Sequence, residues 1–493
     1  MTPILVLLSI PLISLGQAKI KYKVFFQEDM ENEGLRIQVD FTSKKVSDST
    51  YFHYSNQVWG ENNLTYCLKL LQKENPGYTF KIESDINRIV VYHPKSNDIR
   101  FSYHIIQDFE YENPKPRNRP LLQQTYFHIL GESLFTIPEE IIEEDINDPK
   151  IVVSIEWLNF PKDYLIHNTF GTNRLEQTFK VKLWSQFYHS IFIGGDYRIK
   201  SFEYLEKPIH LAIRGKWLGK YTDSTLFGAL KRTISTQRGF WKDNGFDYYT
   251  VVVTPTVTQT DSLYRRQNIT GSRIHNGFLI QSSNNPFNHL PTLKYMFNHE
   301  MMHDWIGGRI SMQNEELNYW FSEGFTEYYT YKNGLRSGSM SLKEFLQEFN
   351  TEVIKAHWEN PERNQPNYVV KDNFWNSKNV EKIPYRRGAI FAFWLDNQIL
   401  KKSNHTKSLD DLMRDILNIC VEQNKKFTDD LFLQIAAKYL ERDITYFFQK
   451  HIISGEDIQL KKEDLIQGFE IEHLEGTPKV HINEDDINNY LSN

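Results

Sequence analysis

The sequence predicts a multidomain α+β protein with a β-rich first part, a mixed second part and a helical last part. Its 493 residues exceed what one hydrophobic core usually serves. Alternating and β-branched runs recur up to about residue 195. Strands and helices then alternate to about residue 335, and apolar helices with capping signals follow. Together these patterns indicate the fold class and a division into domains.

The chain begins with a short apolar run that ends in small residues, MTPILVLLSIPLISLGQA. This pattern is typical of a secretory signal peptide over residues 1–18, with cleavage after Ala18. A membrane anchor is the alternative, but the run is short, and Lys19 and Lys21 follow it closely. No later segment is long and apolar enough to cross a bilayer. We therefore expect a secreted or periplasmic protein whose mature chain has no membrane span.

The composition narrows the class of function. A formal net charge of −6 and the lack of a basic cluster argue against nucleic acid as a partner. Hydrophobic residues make up 40% of the chain and charged residues 24%, which is ordinary for a globular protein. Cys67 and Cys420 are the two cysteines, so the sequence has no disulfide framework. Whether these two pair, and how many chains assemble, stays open at this point.

Residues 19–195 are expected to form an antiparallel β domain. Its strand-like runs are separated by Asn, Asp, Gly, Pro and Lys clusters, which favour turns. These runs are YKVFF, LRIQVDF, RIVVYH, IRFSYHII, KIVVSIEWL and TFKVKLW. The domain contains no grouping of residues that suggests catalysis.

Residues 196–335 combine strands with helices. RIKSFEYL, IHLAIRGKW, YYTVVVTPTV and GFLIQSS have strand character, whereas TDSTLFGALKRTISTQRGFW has helical periodicity. A buried helix is expected over LPTLKYMFN and the residues that follow, ending at Gly307 and Gly308.

Residues 336–470 are expected to be helical. Serines at Ser341 and Ser408 each precede an acidic residue by three positions, which is the capping-box pattern. The segment 385–400 is almost wholly apolar after its start and predicts a buried helix. Residues 471–493 are expected to be a polar tail.

The motif HEMMH at residues 299–303 is the main candidate for chemistry. Positions i and i+4 of a helix lie on one face, so His299 and His303 can share one metal ion. Glu300 would then lie beside the open coordination position, where a water binds. Glu323, in the stretch WFSEGFTEYY, is the best candidate for a third ligand. These ligand types predict one zinc ion per chain, with Glu300 as the general base.

A structural explanation of the same residues is two core or solvated histidines and a surface glutamate. HExxH alone occurs by chance in roughly one chain in a few tens of this length, so its context matters. Here Glu323 lies in an aromatic stretch, where a carboxylate needs a charge partner. The context therefore favours the metal site.

HEMMHDWIGGRISM followed by YWFSEGFTEYY resembles the gluzincin metallopeptidases, among them aminopeptidase N, leukotriene hydrolase and the glycyl aminopeptidases. The glycyl aminopeptidase group is the closest match, because SIFIGGDYRIKSFEY, PIHLAIRGKW, FDYYTVVVT and GFTEYYTYKNGL follow in the same order. The resemblance covers about residues 19–465 and implies a thermolysin-like fold for residues 196–335. One residue more separates His303 from Glu323 than in aminopeptidase N relatives.

The resemblance also implies roles for further residues. Tyr385, in PYRRGAIFAFWLD, falls where these families place a catalytic tyrosine that stabilises the oxyanion. Glu327, one turn after the third ligand, is a candidate to orient a ligand histidine from outside the metal's own contacts.

A second implication concerns substrate binding on the strand before the zinc helix, where these families carry a Gly-x-x-Glu motif for the substrate's amino group. Aligned with it, Gly277, Phe278 and Leu279 become the substrate-binding residues, and Leu279 replaces the glutamate. The strand could still bind a peptide backbone by β-addition.

The expected function is hydrolysis of peptide bonds in a peptide or protein substrate by a zinc metallopeptidase, with an aminopeptidase as one option. The missing glutamate leaves exopeptidase and endopeptidase activity both open. Two alternatives remain: a non-catalytic zinc-binding or peptide-binding protein on a peptidase fold, and a zinc hydrolase of another small molecule.

Overall fold

The computed structural model of the chain describes residues 19–109, 118–144, 151–181, 183–258 and 269–482. The chain divides into two compact units, Met1–Tyr197 and Arg198–Asn493. The predicted signal peptide, residues 1–18, lies outside the described residues. The mixed α+β architecture expected from the sequence is confirmed.

The first unit is dominated by strands, with four short α-helices among its described residues. The helices are α1 (Met30–Glu33), α2 (Gly131–Leu134), α3 (Glu139–Glu144) and α4 (Trp184–Tyr188). The strands are β1 (Lys19–Phe25), β2 (Leu35–His53), β3 (Gln57–Val58), β4 (Glu61–Asn62), β5 (Leu68–Lys69), β6 (Thr79–Glu83), β7 (Arg88–Ile105), β8 (Leu121–Gln123), β9 (Tyr126–Leu130), β10 (Ile137–Pro138), β11 (Ile151–Leu158), β12 (Leu165–Asn168), β13 (Gly171–Thr172), β14 (Glu176–Val181) and β15 (Ile191–Gly195).

These strands form two main sheets that share one core. The first sheet has the order β14-β11-β1-β2-β7-β5, with β10 beside β2 and β6 beside β7, and the second has the order β13-β12-β15-β9-β8. Pairing is antiparallel except between β1 and β11. The inward residues of β2, such as Ile37 and Val39, and Phe127 and Phe192 of the second sheet are fully buried in one cluster. Apolar and polar residues alternate along these strands because one face of each strand packs into a shared core.

The second unit contains the remaining elements. Its strands are β16 (Arg198–Tyr204), β17 (Lys207–Ile213), β18 (Tyr249–Thr258), β19 (Ile269–Ile274), β20 (Gly277–Asn284), β21 (Phe469–Leu474) and β22 (Thr477–Ile482). Its α-helices are α5 (Asp223–Trp241), α6 (Leu290–Met302), α7 (Tyr319–Ser322), α8 (Gly324–Arg336), α9 (Leu342–Glu348), α10 (Ala356–Trp358), α11 (Asn367–Asn373), α12 (Lys378–Lys402), α13 (Leu409–Glu422), α14 (Asp429–Leu440) and α15 (Thr445–Phe448).

One mixed sheet organises the N-terminal half of this unit. Its order is β16-β17-β18-β20-β19, in which β17, β18 and β20 run parallel and the outer strands β16 and β19 run antiparallel to their neighbours. The three parallel strands are the most apolar strands of this sheet, because they lie in its interior with a strand along each edge. Helix α5 connects β17 to β18, and α6 follows β20.

The helix boundaries follow local capping chemistry. The Ser341 side chain accepts a hydrogen bond from the Glu344 N–H at the start of α9, as the capping pattern predicted. The expected end of α6 at Gly307 is wrong, because the helix stops at Met302 and His303 is its C-cap residue. The buried apolar helix expected over 385–400 is part of the longer α12.

The expected polar tail needs a correction, because its described part is a β-hairpin. β21 and β22 pair antiparallel, and the Asn350 side chain bonds both backbone groups of Val480 at 2.8 Å. An amide side chain can both donate and accept hydrogen bonds, as a strand backbone does, so Asn350 substitutes for a neighbouring strand. Residues 483–493 lie outside the described residues.

Two further expectations can be compared with the described residues. Within them, no helix has the length and apolar character that crossing a bilayer requires. Cys67 and Cys420 are both buried free thiols.

Candidate metal centre

Helix α6 carries the first part of the candidate metal centre. His299 and Glu300 lie in its last turn, and His303 follows at its end, one turn beyond His299. The His299 and Glu300 side chains are buried, and the His303 side chain is 15% exposed. The imidazole ring centroids of the two histidines are 5.0 Å apart. The i, i+4 spacing predicted from HEMMH therefore brings both rings to one place.

Glu323 lies at the junction between α7 and α8 and faces the histidines. Its position depends on a close approach of α12 to α7 and to the start of α8, because a Cβ on Gly324 would overlap Gly388 Cα, and a Cβ on Gly388 would overlap the Trp320 carbonyl. Two glycines thus let the helix backbones touch. This contact brings Glu323 and Tyr385, which is three residues before Gly388, to the same side of the site.

The three predicted ligands form a compact donor set. The His299 and His303 Nε2 atoms are 3.3 Å apart, and Glu323 Oε2 is 3.6 Å from each of them. Zinc bonds such atoms at about 2.0–2.2 Å, which spaces tetrahedral ligand atoms about 3.4 Å apart. Glu323 Oε2 is also buried without a hydrogen bond among the described residues. Both the distances and the unsatisfied oxygen fit a zinc ion.

The other ring nitrogens of both histidines point at acceptors. His303 Nδ1 lies 3.3 Å from the Ile306 carbonyl oxygen, and His299 Nδ1 lies 3.5 Å from Glu327 Oε2. The Tyr295 hydroxyl donates to the same Glu327 oxygen. Acceptors on Nδ1 favour the tautomer that leaves the Nε2 lone pair for a metal. Glu327 therefore lies where a residue that orients His299 would be.

The charges of the cluster favour an ionised carboxylate. Burial by itself would raise the pKa of Glu323, but His303, His299 and the Tyr385 hydroxyl outweigh it and lower this pKa to about 2. Glu323 is therefore an anion at any pH where the protein would work, as a metal ligand must be.

Tyr385 lies in α12 and faces the cluster. Its ring stacks on His299 with centroids 5.9 Å apart and planes 12° from parallel, and Lys382 Nζ lies 4.4 Å from its ring centroid. Burial raises the pKa of the Tyr385 hydroxyl well above its usual value, and the charge of Glu323 raises it further. The hydroxyl therefore keeps its proton and can donate a hydrogen bond.

Glu300 lies against the edge strand β19. A Cβ built on Gly271 would overlap the Glu300 carboxylate, so this strand approaches the side chain as closely as a glycine permits. Among the described strands, β19 ends the sheet, because β20 covers one of its two edges. Its other edge is the position where an extended peptide could add beside Glu300.

The structure contradicts the substrate-binding role predicted for Gly277, Phe278 and Leu279. These residues lie in β20, which pairs with β18 on one side and β19 on the other, so its backbone has no edge for a peptide. All three are buried. The Phe278 ring packs on Phe297, 5.7 Å between centroids, and a Cβ on Gly277 would overlap the Thr250 carbonyl.

Sequence reasoning missed β19 and the glycines that shape the site. The segment ITGSRI has no apolar alternation, and its residues are half-buried up to Arg273. A glycine inside a strand or helix signals close backbone approach, and Gly271, Gly324 and Gly388 all carry that signal. The candidate ligands could be predicted because their spacing is local in the sequence, whereas the position of the strand that faces them is not.

Comparison with known proteins connects this site to a family of peptidases. Residues 293–382, which include the three candidate ligands, match the model of the M61 glycyl aminopeptidase family. A search of curated proteins gives no significant match. The resemblance to the gluzincins, closest to the glycyl aminopeptidases, is confirmed by this match and by the structural matches below.

Solved structures match over most of the chain. An aminopeptidase N family protein from Idiomarina loihiensis superposes with a TM-score of 0.72 at 16% identity, covering 92% of this chain and 79% of that one. A mutant M1 zinc metallopeptidase from Deinococcus radiodurans, bound to a Tyr-Ser-Ala substrate, superposes with a TM-score of 0.50 at 13% identity, covering 90% and 95%. At such low identity these matches establish the fold.

Proposed function

We propose that this chain is a zinc-dependent metallopeptidase that binds one zinc ion and hydrolyses peptide bonds. The observation that carries the proposal is the donor set of His299, His303 and Glu323, whose metal-facing atoms lie within 4.8 Å of one another. The match of residues 293–382 to a peptidase family supports the same reaction. Whether cleavage is confined to free N-termini is part of the test below.

In this proposal the chain divides the chemistry between an acid–base group and a hydrogen-bond donor. Zinc, when bound, acidifies a water molecule and polarises the substrate carbonyl. Glu300, next to the first ligand and against β19, accepts a proton from the attacking water and later delivers it to the leaving amine. Its contact with the edge strand supports this role, because a peptide added there would pass directly over the carboxylate.

Tyr385 stabilises the negative charge that develops on the carbonyl oxygen. Its hydroxyl stays protonated because burial and the neighbouring Glu323 raise its pKa. A donor of this kind contributes about 3 kcal/mol to stabilisation of the transition state. Glu327 fixes the orientation of His299 through the Nδ1 contact at 3.5 Å.

The test compares wild-type protein with Glu300→Gln on a peptide library in which the N-termini are free or acetylated. We expect Glu300→Gln to retain zinc, measured by elemental analysis, and to hydrolyse peptides at least about a hundredfold more slowly. Glu359→Gln is the matched control, because that side chain is 65% exposed in a surface ion pair. Cleavage confined to free N-termini would identify an aminopeptidase.

Two outcomes would overturn the proposal. Full turnover by Glu300→Gln would remove Glu300 from the mechanism. A wild-type protein that holds zinc but cleaves no member of the library would instead be a binding protein or a hydrolase of another class.

A further inference from the structure

The edge strand β19 carries a cation beside the candidate metal centre. Gly271 and Arg273 are two positions apart, so their side-chain directions fall on the same face of the strand. Gly271 faces Glu300, and Arg273 reaches Asp304, the residue that follows His303. Arg273 therefore points towards the site and not towards the opposite face of the sheet.

The antiparallel register supports this direction. Arg273 pairs with Phe278, and Gly271 pairs with Ile280. Phe278 and Ile280 both belong to the core that includes Phe297 of α6, so this face of the sheet packs against α6. Directly paired residues share one face of a sheet.

The Arg273 guanidinium keeps donor capacity for a ligand. Among the described residues, its recorded ion pair joins Nε to Asp304 Oδ1 at 3.6 Å, which is beyond hydrogen-bond distance. Asp304 also accepts a 2.5 Å hydrogen bond from the Tyr249 hydroxyl. A guanidinium has five N–H donors in a fork that matches a carboxylate, and 37% of this side chain is exposed.

The same charge acts on a carboxylate beside the candidate metal centre. Burial raises the pKa of Glu315, next to the site, and Arg273 opposes that rise. Arg273 is therefore within electrostatic reach of the place where a substrate would bind, with Asp304 and Glu315 as the described carboxylates that share its field.

We propose that Arg273 binds a carboxylate of the peptide substrate, one or two residues from the bond that is cleaved. This inference rests on the proposed peptidase function and specifies its substrate class. A peptide added to the edge of β19 that no described strand covers passes Glu300 at Gly271 and Arg273 about 7 Å further along. The carboxylate comes from an acidic side chain or from a C-terminus, and both present the same bidentate acceptor.

Carboxylate binding at β19 differs from the amino-group binding that the Gly-x-x-Glu motif implies. A cation near the scissile bond repels the ammonium group of a free N-terminus and attracts an anion. Arg273 is thus a residue for specificity, and its own partner Asp304 holds its side chain in place.

The test measures binding, so that it does not depend on turnover. Alanine-based heptapeptides carry one glutamate or one glutamine moved through successive positions, each with an acid or an amidated C-terminus. Dissociation constants are measured for Glu300→Gln protein, with and without Arg273→Gln or Arg273→Lys. Arg100→Gln is the matched control, because Arg100 is a 71% exposed arginine of the first unit.

We expect peptides with a glutamate or an acid C-terminus at one or two positions to bind at least about tenfold more tightly than the matching glutamine or amidated peptides. Arg273→Gln should abolish this preference, Arg273→Lys should keep part of it, and Arg100→Gln should leave it unchanged. The position of the preferred carboxylate tells an acidic side chain from a C-terminus.

Equal binding of acidic and amide peptides by Glu300→Gln protein that retains Arg273 would overturn the proposal. The proposal would also be overturned if none of the peptides bound. A uniform loss of affinity for all peptides in Arg273→Gln would make Arg273 a structural partner of Asp304. Hydrolysis of the same peptides by protein with Glu300 intact is scored separately, so failure of the peptidase function and failure of carboxylate recognition give different results.

Discussion

At the scale of single residues, the site depends on a glycine as much as on its charged groups. Gly271 has no catalytic atoms, yet its missing side chain is the space that the Glu300 carboxylate occupies. A general base must lie within hydrogen-bond reach of the water that it deprotonates, so a displacement of about 1 Å costs rate. Gly271 therefore links the strand that would hold a peptide to the group that would act on it.

We expect Gly271→Ala to lower the peptidase rate by about tenfold or more, with zinc content and melting temperature close to wild type. The new methyl group meets the end of a flexible side chain and not backbone, so Glu300 moves while the sheet stays. Gly239→Ala in α5 is the control, because a Cβ there meets nothing within 4 Å. An unchanged rate would show that Glu300 can act from a second position.

At the scale of elements, the crossing of α8 and α12 decides where the two halves of the site meet. Glu323 precedes α8, Tyr385 lies in α12, and Gly324 and Gly388 let the two backbones touch. Lys332 of α8 adds a 2.6 Å hydrogen bond to buried Asp396 of α12. The pair of helices therefore brings a candidate metal ligand and a candidate hydrogen-bond donor together.

We expect Gly388→Ala to destabilise the protein by about 1–3 kcal/mol and to lower kcat, because its methyl group would overlap the Trp320 carbonyl and force α12 away. Urea denaturation measures the first effect and peptide hydrolysis the second. Gly228→Ala in α5 is the matched control, since its Cβ would make an ordinary contact with Arg232. Wild-type stability and kcat in Gly388→Ala would refute the role given to this crossing.

The strands of the mixed sheet show which elements can be predicted from the sequence. The runs that form β18 and β20 are strongly apolar, so both strands could be predicted from local pattern. β19 could not, because an edge strand is half-exposed and its sequence, ITGSRI, has no clear periodicity. The sequence therefore predicts substrate binding on β20, whereas the edge position among the described strands belongs to β19. The order of strands in space is a tertiary property that no local pattern encodes.

At the scale of the whole molecule, every residue of the candidate centre belongs to the unit Arg198–Asn493. Its mixed sheet supplies the edge strand, α6 and its C-cap residue supply two histidines and Glu300, and the helical segments after it supply Glu323 and Tyr385. The class of fold was predictable from the strand and helix patterns, and the candidate donor set was predictable because HEMMH is followed by the WFSEG stretch. The C-terminal hairpin was not, because its position depends on the distant Asn350.

The proposal that His299, His303 and Glu323 hold zinc is tested by anomalous diffraction from crystals of zinc-supplied protein, recorded on both sides of the zinc absorption edge. We expect one anomalous peak per chain, about 2.0–2.2 Å from both histidine Nε2 atoms and from a Glu323 carboxylate oxygen. Zinc bound elsewhere, with no peak among these three residues, would contradict the metal centre and the mechanism built on it.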